Sequence, residues 1–125
     1  MITLATLPQA TAQEVFDQVS QHMLRQGARS KQAFNGCAYR GDGGLKCAAG
    51  CLISDEEYNS GMDNNPEGTG WVSLKERGEV PKEHFHLISR LQKLHDDEDL
   101  KVSDWPYELA NLAKEYKLEF KAIGV

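Results

Sequence analysis

The stretch Asn35–Ile53, NGCAYRGDGGLKCAAGCLI, contains all three cysteines and five of the eleven glycines of the chain. Within it, Asp42-Gly43-Gly44 is a turn signal, because Asp-Gly and Gly-Gly supply the positive φ angles that tight hairpin turns require. The pattern predicts a short strand over Cys37–Arg40, a reversal at the glycines and a return strand over Leu45–Cys47. We therefore expect an antiparallel hairpin at the centre of the fold.

Small residues follow the predicted hairpin. The sequence Cys47-Ala48-Ala49-Gly50 has almost no side chain, so a neighbouring helix can approach its backbone closely. If a helix begins here, Cys47 and Cys51 lie one turn apart on the same face.

Length and composition are those of one ordinary globular domain, residues 1–125. The apolar share of 40% is typical of a soluble protein, and no apolar run reaches the roughly 18 to 20 residues of a membrane span. The N-terminus lacks the basic region of a signal peptide. Three cysteines, an odd number, argue against a closed disulfide framework. We expect a cytoplasmic protein that does not associate with membranes.

The charge pattern bears on the kind of partner. The net charge is −5 and the basic residues are scattered, whereas a nucleic-acid binder usually carries a basic stripe for phosphate contacts. A nucleic-acid partner is therefore not expected. Acidic residues cluster at 55–57 and 96–99, which we interpret as solvated loop ends, with a basic partner or DNA mimicry as the alternative.

Three main helices are predicted, the first over residues 12–26. Thr11 and Glu14 form a capping box, in which each side chain serves the other's backbone amide. Apolar residues recur every fourth position behind it. Gly27 is a natural C-terminal cap.

The second main helix is predicted to begin at Pro81, where a missing amide costs nothing. Its apolar stripe contains Leu91, and both His84 and His95 fall in the middle of that stripe. Two histidines on a buried face are either core imidazoles bonded to backbone or members of a pocket. For His95 we expect burial and a hydrogen bond to the cysteine segment.

The third main helix is predicted to begin after the cap Ser103-Asp104. Its inward face follows the spacing i, i+4, i+7, i+11, which is that of Trp105, Leu109, Leu112 and Tyr116. We expect Leu91 and Leu109 to be core positions on two helices that pack together.

Shorter elements are less sharply specified. A second capping box, Ser54 to Glu57, predicts a short helix over 55–60. Trp71–Leu74 fits either a strand or a helical turn. Leu118–Ala122 alternates apolar and polar residues, as a half-buried strand does. The predicted fold is a single α+β domain: three main helices packed around a small antiparallel β-hairpin, with Leu118–Ala122 as an optional third strand.

Several segments together resemble a known group of sequences, namely CAYR at 37–40, GLKCAAGCLI at 44–53, DEEY at 55–58, LQKLHD at 91–96 and the downstream Trp105. They are similar to a family of short uncharacterised proteins of bacteriophages and bacterial genomes. The resemblance spans about residues 11–118. It implies a phage or prophage accessory protein in a bacterial cytoplasm, and it implies no activity, cofactor or catalytic residue.

The three cysteines are candidate ligands for a zinc ion. Cys47-x3-Cys51 has the spacing of a zinc knuckle, and His84 or His95 could supply a fourth ligand. Cys37, however, lies ten residues before Cys47 on a different element. Three buried free thiols are the alternative, and we expect reduced, metal-free cysteines.

A cysteine nucleophile is a second possibility. A thiolate needs a base such as His95, and that base needs an orienting carboxylate such as Asp96. Neighbouring residues on a helix point about 100° apart, so we expect Asp96 not to orient its own neighbour.

Arg40 and Tyr39 are candidates for recognising an anion, because a guanidinium binds phosphate or carboxylate in a bidentate fashion. Pairing of Arg40 with Asp42 or with the acidic residues from Asp55 is the alternative.

From the sequence we expect a small soluble accessory protein that binds a host or phage macromolecule and uses neither catalysis nor a cofactor. The expected macromolecule is a protein. The alternative is a small enzyme or ligand-binding protein with a pocket formed by Cys47, His95 and Arg40. Convergence of those three side chains in a cleft would favour the alternative. The oligomeric state is left open. The candidate site residues are Cys37, Tyr39, Arg40, Cys47, Cys51 and His95.

Overall fold

The computed structural model describes residues 1–32 and 36–121. Those ranges contain five α-helices: α1 (Ala12–Gln26), α2 (Gly61–Asn64), α3 (Trp71–Glu76), α4 (Phe85–Asp96) and α5 (Trp105–Glu115). Single 3₁₀ turns lie at Leu7–Gln9, Asp42–Gly44, Ala49–Leu52 and Val102–Asp104.

The β structure of the described residues is limited to two segments of two residues each. β1 (Lys31–Gln32) pairs antiparallel with β2 (Gly36–Cys37), and Lys31 lies opposite Cys37. A ladder this short cannot serve as a structural layer. The fold is therefore mainly α-helical.

The predicted α+β fold around a hairpin of Cys37–Arg40 and Leu45–Cys47 is wrong. Asp42–Gly44 does reverse the chain, with φ values of 74° at Gly43 and 80° at Gly44. The backbone amide of Gly41 donates to Leu45 O over 2.8 Å, but within residues 1–32 and 36–121 no strand ladder extends from this turn.

The hydrogen bonds of residues 38–40 explain why no hairpin forms. The amides of Tyr39 and Arg40 donate to the two carboxylate oxygens of Asp63, over 2.9 and 3.2 Å. The amide of Ala38 donates to the carbonyl of Ser30 over 2.9 Å. These distant partners satisfy the amides that a return strand would otherwise pair, so the segment 45–47 is free to run elsewhere.

The predicted third strand is also not observed: residues 118–121 are not a strand, and Ala122 lies outside the described residues. α5 ends at Glu115. Two residues later Lys117 has a left-handed φ of 57°, and the amide of Leu118 donates to Ala113 O over 2.8 Å. The side chain of Gln13 clamps the backbone of Glu119 through both of its amide atoms. This clamp takes the backbone groups that a strand partner would use.

Helix α1 confirms the prediction for residues 12–26. Thr11 N donates to Glu14 Oε1 over 2.8 Å and Glu14 N donates to Thr11 Oγ1 over 3.1 Å, so the capping box is complete. Gly27 ends the helix with a left-handed φ of 64°.

Helix α4 begins at Phe85, so the predicted start at Pro81 is wrong. His84 has a φ of 62°, which a helix interior does not allow. Its ring is bonded through Nε2 to the carbonyl of Ala10 over 2.7 Å. The imidazole predicted to continue the apolar stripe instead joins the helix start to the N-terminal segment.

The remaining predicted elements agree with the structure in part. α5 begins at Trp105, directly after Asp104, as predicted. The predicted cap bond is not found, because the Asp104 carboxylate accepts from the amide of Lys101 instead. Trp71 begins a helix, which decides between the two open alternatives. The short helix predicted over 55–60 is wrong: the Ser54–Glu57 box forms its hydrogen bonds, but only a turn follows it. The Glu57 carboxylate also accepts from the amides of Leu4 and Ala5.

The main helices pack around one cluster of buried apolar residues. α1, α4 and α5 contact one another pairwise, and α1 and α4 also contact the 3₁₀ turn Ala49–Leu52. Leu91 and Leu109 are fully buried, which confirms both as core positions on contacting helices. Within residues 1–32 and 36–121, no helix has the length and apolar character needed to cross a membrane.

Candidate functional site

His95 lies at the C-terminal end of α4 and is 1% exposed. Its ring stacks on Trp105, with 5.5 Å between centroids and 30° between planes. The burial predicted for His95 is confirmed. The predicted bond to the cysteine segment is not found, because the ring is bonded to Ser30 and Asp96 instead.

The partners of His95 define which nitrogen carries the hydrogen. The amide of Ser30 points at Nε2 over 3.4 Å, and an amide can only donate. Nε2 is therefore the acceptor, and Nδ1 carries the hydrogen that it donates to Asp96 Oδ1 over 2.7 Å. The expectation that Asp96 could not orient its neighbour is wrong: the ring and the carboxylate meet at the end of the helix.

Asp96 is held on two further sides. Gln92, one turn earlier on α4, donates through Nε2 to both carboxylate oxygens, over 2.9 and 3.0 Å. Burial alone would raise the pKa of the Asp96 carboxyl, but the hydrogen bonds from His95 and Gln92 outweigh it and the pKa lies below its usual value. Asp96 is thus a fixed carboxylate.

Cys37 completes this cluster. Its thiol lies beside Asp96, and one ligand atom each of Cys37, His95 and Asp96 lies within 4.8 Å of the others. Burial, followed by the negative charge of Asp96, raises the pKa of the Cys37 thiol to about 11. A nucleophilic cysteine needs the opposite shift, so the arrangement does not activate this thiol.

The cluster can be tested against a metal ion. A histidine that binds a metal through one nitrogen donates the hydrogen on the other to an acceptor. Here Nδ1 faces Asp96, while Nε2 faces the N–H of Ser30. Binding through Nδ1 would place two hydrogens against each other at Nε2. The donor set does not fit a metal, and the metal-free state of the cysteines stays a prediction.

The other two cysteines are separate from Cys37 in their bonding. Cys47 is buried, and its sulfur accepts from the amide of Gly50 over 3.3 Å. Cys51 donates to the carbonyl of Ala48 over 3.1 Å. Burial raises the pKa of both thiols, that of Cys51 to about 12. Among the described residues, no group of three or more candidate ligands includes either Cys47 or Cys51.

The glycine next to them shows how tightly this segment is packed. A Cβ atom on Gly50 would lie 2.5 Å from the carbonyl oxygen of Tyr39. The close approach predicted for the small residues is therefore present, although the segment that comes closest here is Tyr39. A helix is present too: Gln92 of α4 accepts from the amide of Ala49 over 2.8 Å.

Tyr39 is buried and forms part of the wall of a small cavity. Its hydroxyl donates to Thr69 O over 2.6 Å, and its ring lies 6.2 Å from that of Trp71. The cavity has a volume of about 100 Å³ and is lined chiefly by Cys37, Tyr39, Cys47, Asp63, Gln92 and Asp96. That volume holds a few water molecules at most, so it cannot take a substrate of ordinary size.

Arg40 is bound to its own chain. Its guanidinium donates to the carbonyls of Gly50 and Ile53 over 3.0 and 2.6 Å. It also pairs with Asp55 over 3.2 Å and lies 4.9 Å above the ring of Tyr58. Of the two alternatives for Arg40, internal pairing is the one observed, with Asp55 as the carboxylate.

The pocket imagined for Cys47, His95 and Arg40 does not form. Cys47 lines the small cavity together with Asp96, but neither His95 nor Arg40 lines it. Each of the three groups is separately bonded to backbone or to a neighbour.

Sequence reasoning missed several residues that hold this region together. Arg29 donates through Nε to His95 O over 2.9 Å and through Nη2 to Asp97 O over 2.5 Å. Its guanidinium lies 5.6 Å from the ring of Trp105. It therefore caps the C-terminal end of α4. Ser30 and Asp63 hold the segment 38–40 by hydrogen bonds to its backbone. Their partners are far away in the chain, so no local pattern marks them.

Comparison with known proteins finds no matching family model, no matching curated protein and no matching solved structure. The site must therefore be interpreted from its own geometry.

Proposed function

We propose that this protein is a small accessory protein that binds a macromolecule, a host or phage protein, and performs no catalysis. The observation that carries the proposal is the state of His95. Both of its ring nitrogens are engaged within the chain, by Ser30 and Asp96. A base must have a free nitrogen to remove a proton, and here none is free.

The other candidate groups support the same interpretation. The Arg40 guanidinium is bonded to carbonyls of its own chain, and the pKa values of all three thiols are raised. The distinctive sequence around the cysteines is accounted for by packing and internal hydrogen bonds. The proposed binding therefore involves residues of the outer surface.

The setting of the proposed activity rests on the sequence resemblance. The family it resembles occurs in bacteriophages and bacterial genomes, which supports work inside a bacterial cytoplasm. Free cysteines are consistent with that setting.

A direct test is affinity capture from a bacterial lysate, with chemical crosslinking and mass spectrometry, followed by titration of the purified partner. We expect one protein that binds in a saturable, stoichiometric manner. The control is the variant Leu91→Ala, which disrupts the core and should lose binding only to the extent that it unfolds. A purified protein that turns over a small substrate, with no stable partner, would overturn the proposal.

A further inference from the structure

A groove runs along the exposed side of α1 near its C-terminal end. It has a volume of about 590 Å³, and its walls include Gln21, His22, Arg25, Gln26, Lys46 and Cys51. We call it the Arg25 groove. Its size falls within the range of about 300 to 1,000 Å³ typical of sites for organic ligands, and it is much larger than an inorganic ion requires.

One wall of the Arg25 groove is fixed by hydrogen bonds between α1 and the segment after the glycine turn. His22 Nε2 is bonded to Lys46 O over 2.8 Å. Gln26 donates to the same carbonyl over 2.8 Å and accepts from the amide of Lys46 over 3.0 Å. Lys46 is thereby held opposite α1, and the groove is formed before any ligand binds.

Arg25 differs from every other arginine of the chain. Arg29, Arg40, Arg77 and Arg90 are each bonded to carbonyl or carboxylate oxygens. Arg25 has neither an ion pair nor a hydrogen bond from its side chain among the described residues, and it is exposed. A guanidinium offers five donors in a fixed fork suited to a carboxylate, and here that fork is unused.

The groove is positively charged in a protein that is negative overall. Its walls carry the two cations Arg25 and Lys46, while the whole chain has a net charge of −5. Among the described residues, no carboxylate lines the groove. Lys46 adds a second cation, whose nearest carboxylate is the exposed Asp55 at 3.8 Å. A positive groove of this kind is complementary to an anionic partner.

From these observations we infer that the Arg25 groove binds an acidic segment of a protein partner, with one of its carboxylates held by Arg25 and a second near Lys46. This inference rests on the proposed function, since it names the kind of segment that the partner presents. Cys51 and the stems of the glutamines supply apolar contact between the two cations. Gln21, which is half-buried and has no partner among the described residues, supplies a further hydrogen bond.

The site can be tested with a fluorescent oligo-glutamate peptide and measurements of anisotropy at low and moderate salt. Arg25→Gln should weaken binding about tenfold, the cost expected for losing one charge-assisted hydrogen-bonded pair. Lys46→Gln should weaken it less. The matched control is Lys114→Gln, which removes an exposed cation from the last turn of α5 and should leave affinity within about twofold. An oligo-lysine peptide should not bind.

The outcomes separate this site from the proposed function. Equal affinity of wild type and Arg25→Gln for the peptide would overturn the site. So would displacement of the peptide by inorganic phosphate at equal concentration, which would indicate a site for small anions. If a captured protein partner binds Arg25→Gln as tightly as wild type, the site fails and macromolecular binding stands. If the peptide binds through Arg25 but no protein partner exists, the site stands as an acid-binding groove and the proposed function fails.

Discussion

His95 Nδ1 lies 2.7 Å from Oδ1 of Asp96, its neighbour in sequence, at the last turn of α4. The opposite nitrogen of the same ring meets the amide of Ser30, which precedes it by 65 residues. One buried imidazole thus joins the end of α4 to the segment that follows α1. The polar atoms of Ser30 continue this connection, since its hydroxyl donates to Ala38 O over 2.7 Å.

The packing of α4 against α5 leads to a prediction for stability. Leu91→Ala or Leu109→Ala should lower the free energy of unfolding by about 2 to 5 kcal/mol, because each side chain is fully buried and its removal leaves a cavity. Urea unfolding measures the change. Tyr107→Ala, at a side chain that is 70% exposed, is the control and should change stability by less than about 1 kcal/mol. An unchanged midpoint for either leucine variant would contradict the assigned helix faces.

Glu57 links the N-terminal segment to the turn after Ile53. Its carboxylate accepts from the amides of Leu4, Ala5 and Ser54 over 3.0, 2.9 and 2.9 Å. Glu57→Gln should destabilise the fold by about 1 to 3 kcal/mol, because hydrogen bonds to a charged acceptor are replaced or lost. The neighbouring Glu56→Gln, at an exposed position, is the matched control in thermal unfolding.

The same carboxylate predicts a dependence on acid. Burial raises the pKa of Glu57, but the hydrogen bonds from backbone amides outweigh it, so the pKa in the fold lies below the usual 4.5. The contribution of Glu57 to stability is therefore complete above pH 4.5 and is lost as the pH falls through the lowered value. A Glu57→Gln protein with the same acid profile as wild type would disprove this assignment.

His22 predicts a pH dependence nearer neutrality. The pKa of His22 lies below the usual 6.5, and burial of the ring is the largest cause of this decrease. As the pH falls through 6.5, the unfolded chain takes up this proton before the folded chain does, so the free energy of unfolding decreases until the folded-state pKa is reached. In urea unfolding across pH 8 to pH 5, the difference between wild type and His22→Gln should be constant above about pH 7 and shrink below it. A difference that does not vary with pH would contradict the burial of this ring.

Cys37 should react slowly despite its partial exposure. With the pKa of its thiol raised to about 11, the reactive thiolate is about a hundredfold scarcer at neutral pH than for a thiol at 9.0. Alkylation by iodoacetamide, followed at this residue by peptide mapping, should be slow in the folded protein and fast in urea. Asp96→Asn removes the charge that opposes the thiolate and should accelerate the reaction. A folded-state rate equal to that in urea would refute the proposed environment.

The elements that the sequence predicts well are those whose determinants are local. The capping box of Thr11 and Glu14 and the terminal Gly27 lie within or beside α1, and the helix has the predicted bounds. The hairpin failed for the opposite reason. Its first strand is held by Asp63, which lies 24 residues beyond Tyr39, and nothing in the local pattern of a glycine turn indicates such a partner.

The candidate site shows the same division. Burial of His95 followed from its place on an apolar stripe, but its orientation did not. The angle of about 100° between adjacent helix positions separates the Cβ directions, and the ring and carboxylate extend beyond Cβ far enough to meet. Arg40 was expected either to bind an external anion or to pair internally, and only the tertiary fold, which brings Gly50 and Ile53 to it, decides.

The central claim is that the groups capable of chemistry serve the structure, and the state of the His95 ring tests it most directly. A long-range proton–nitrogen correlation spectrum of the folded protein at neutral pH identifies the nitrogen that carries the hydrogen. We predict the Nδ1–H form, with Nε2 accepting from Ser30. A ring in the Nε2–H form would leave Nδ1 beside Asp96 without a hydrogen, available as a base or a metal ligand, and would contradict the account.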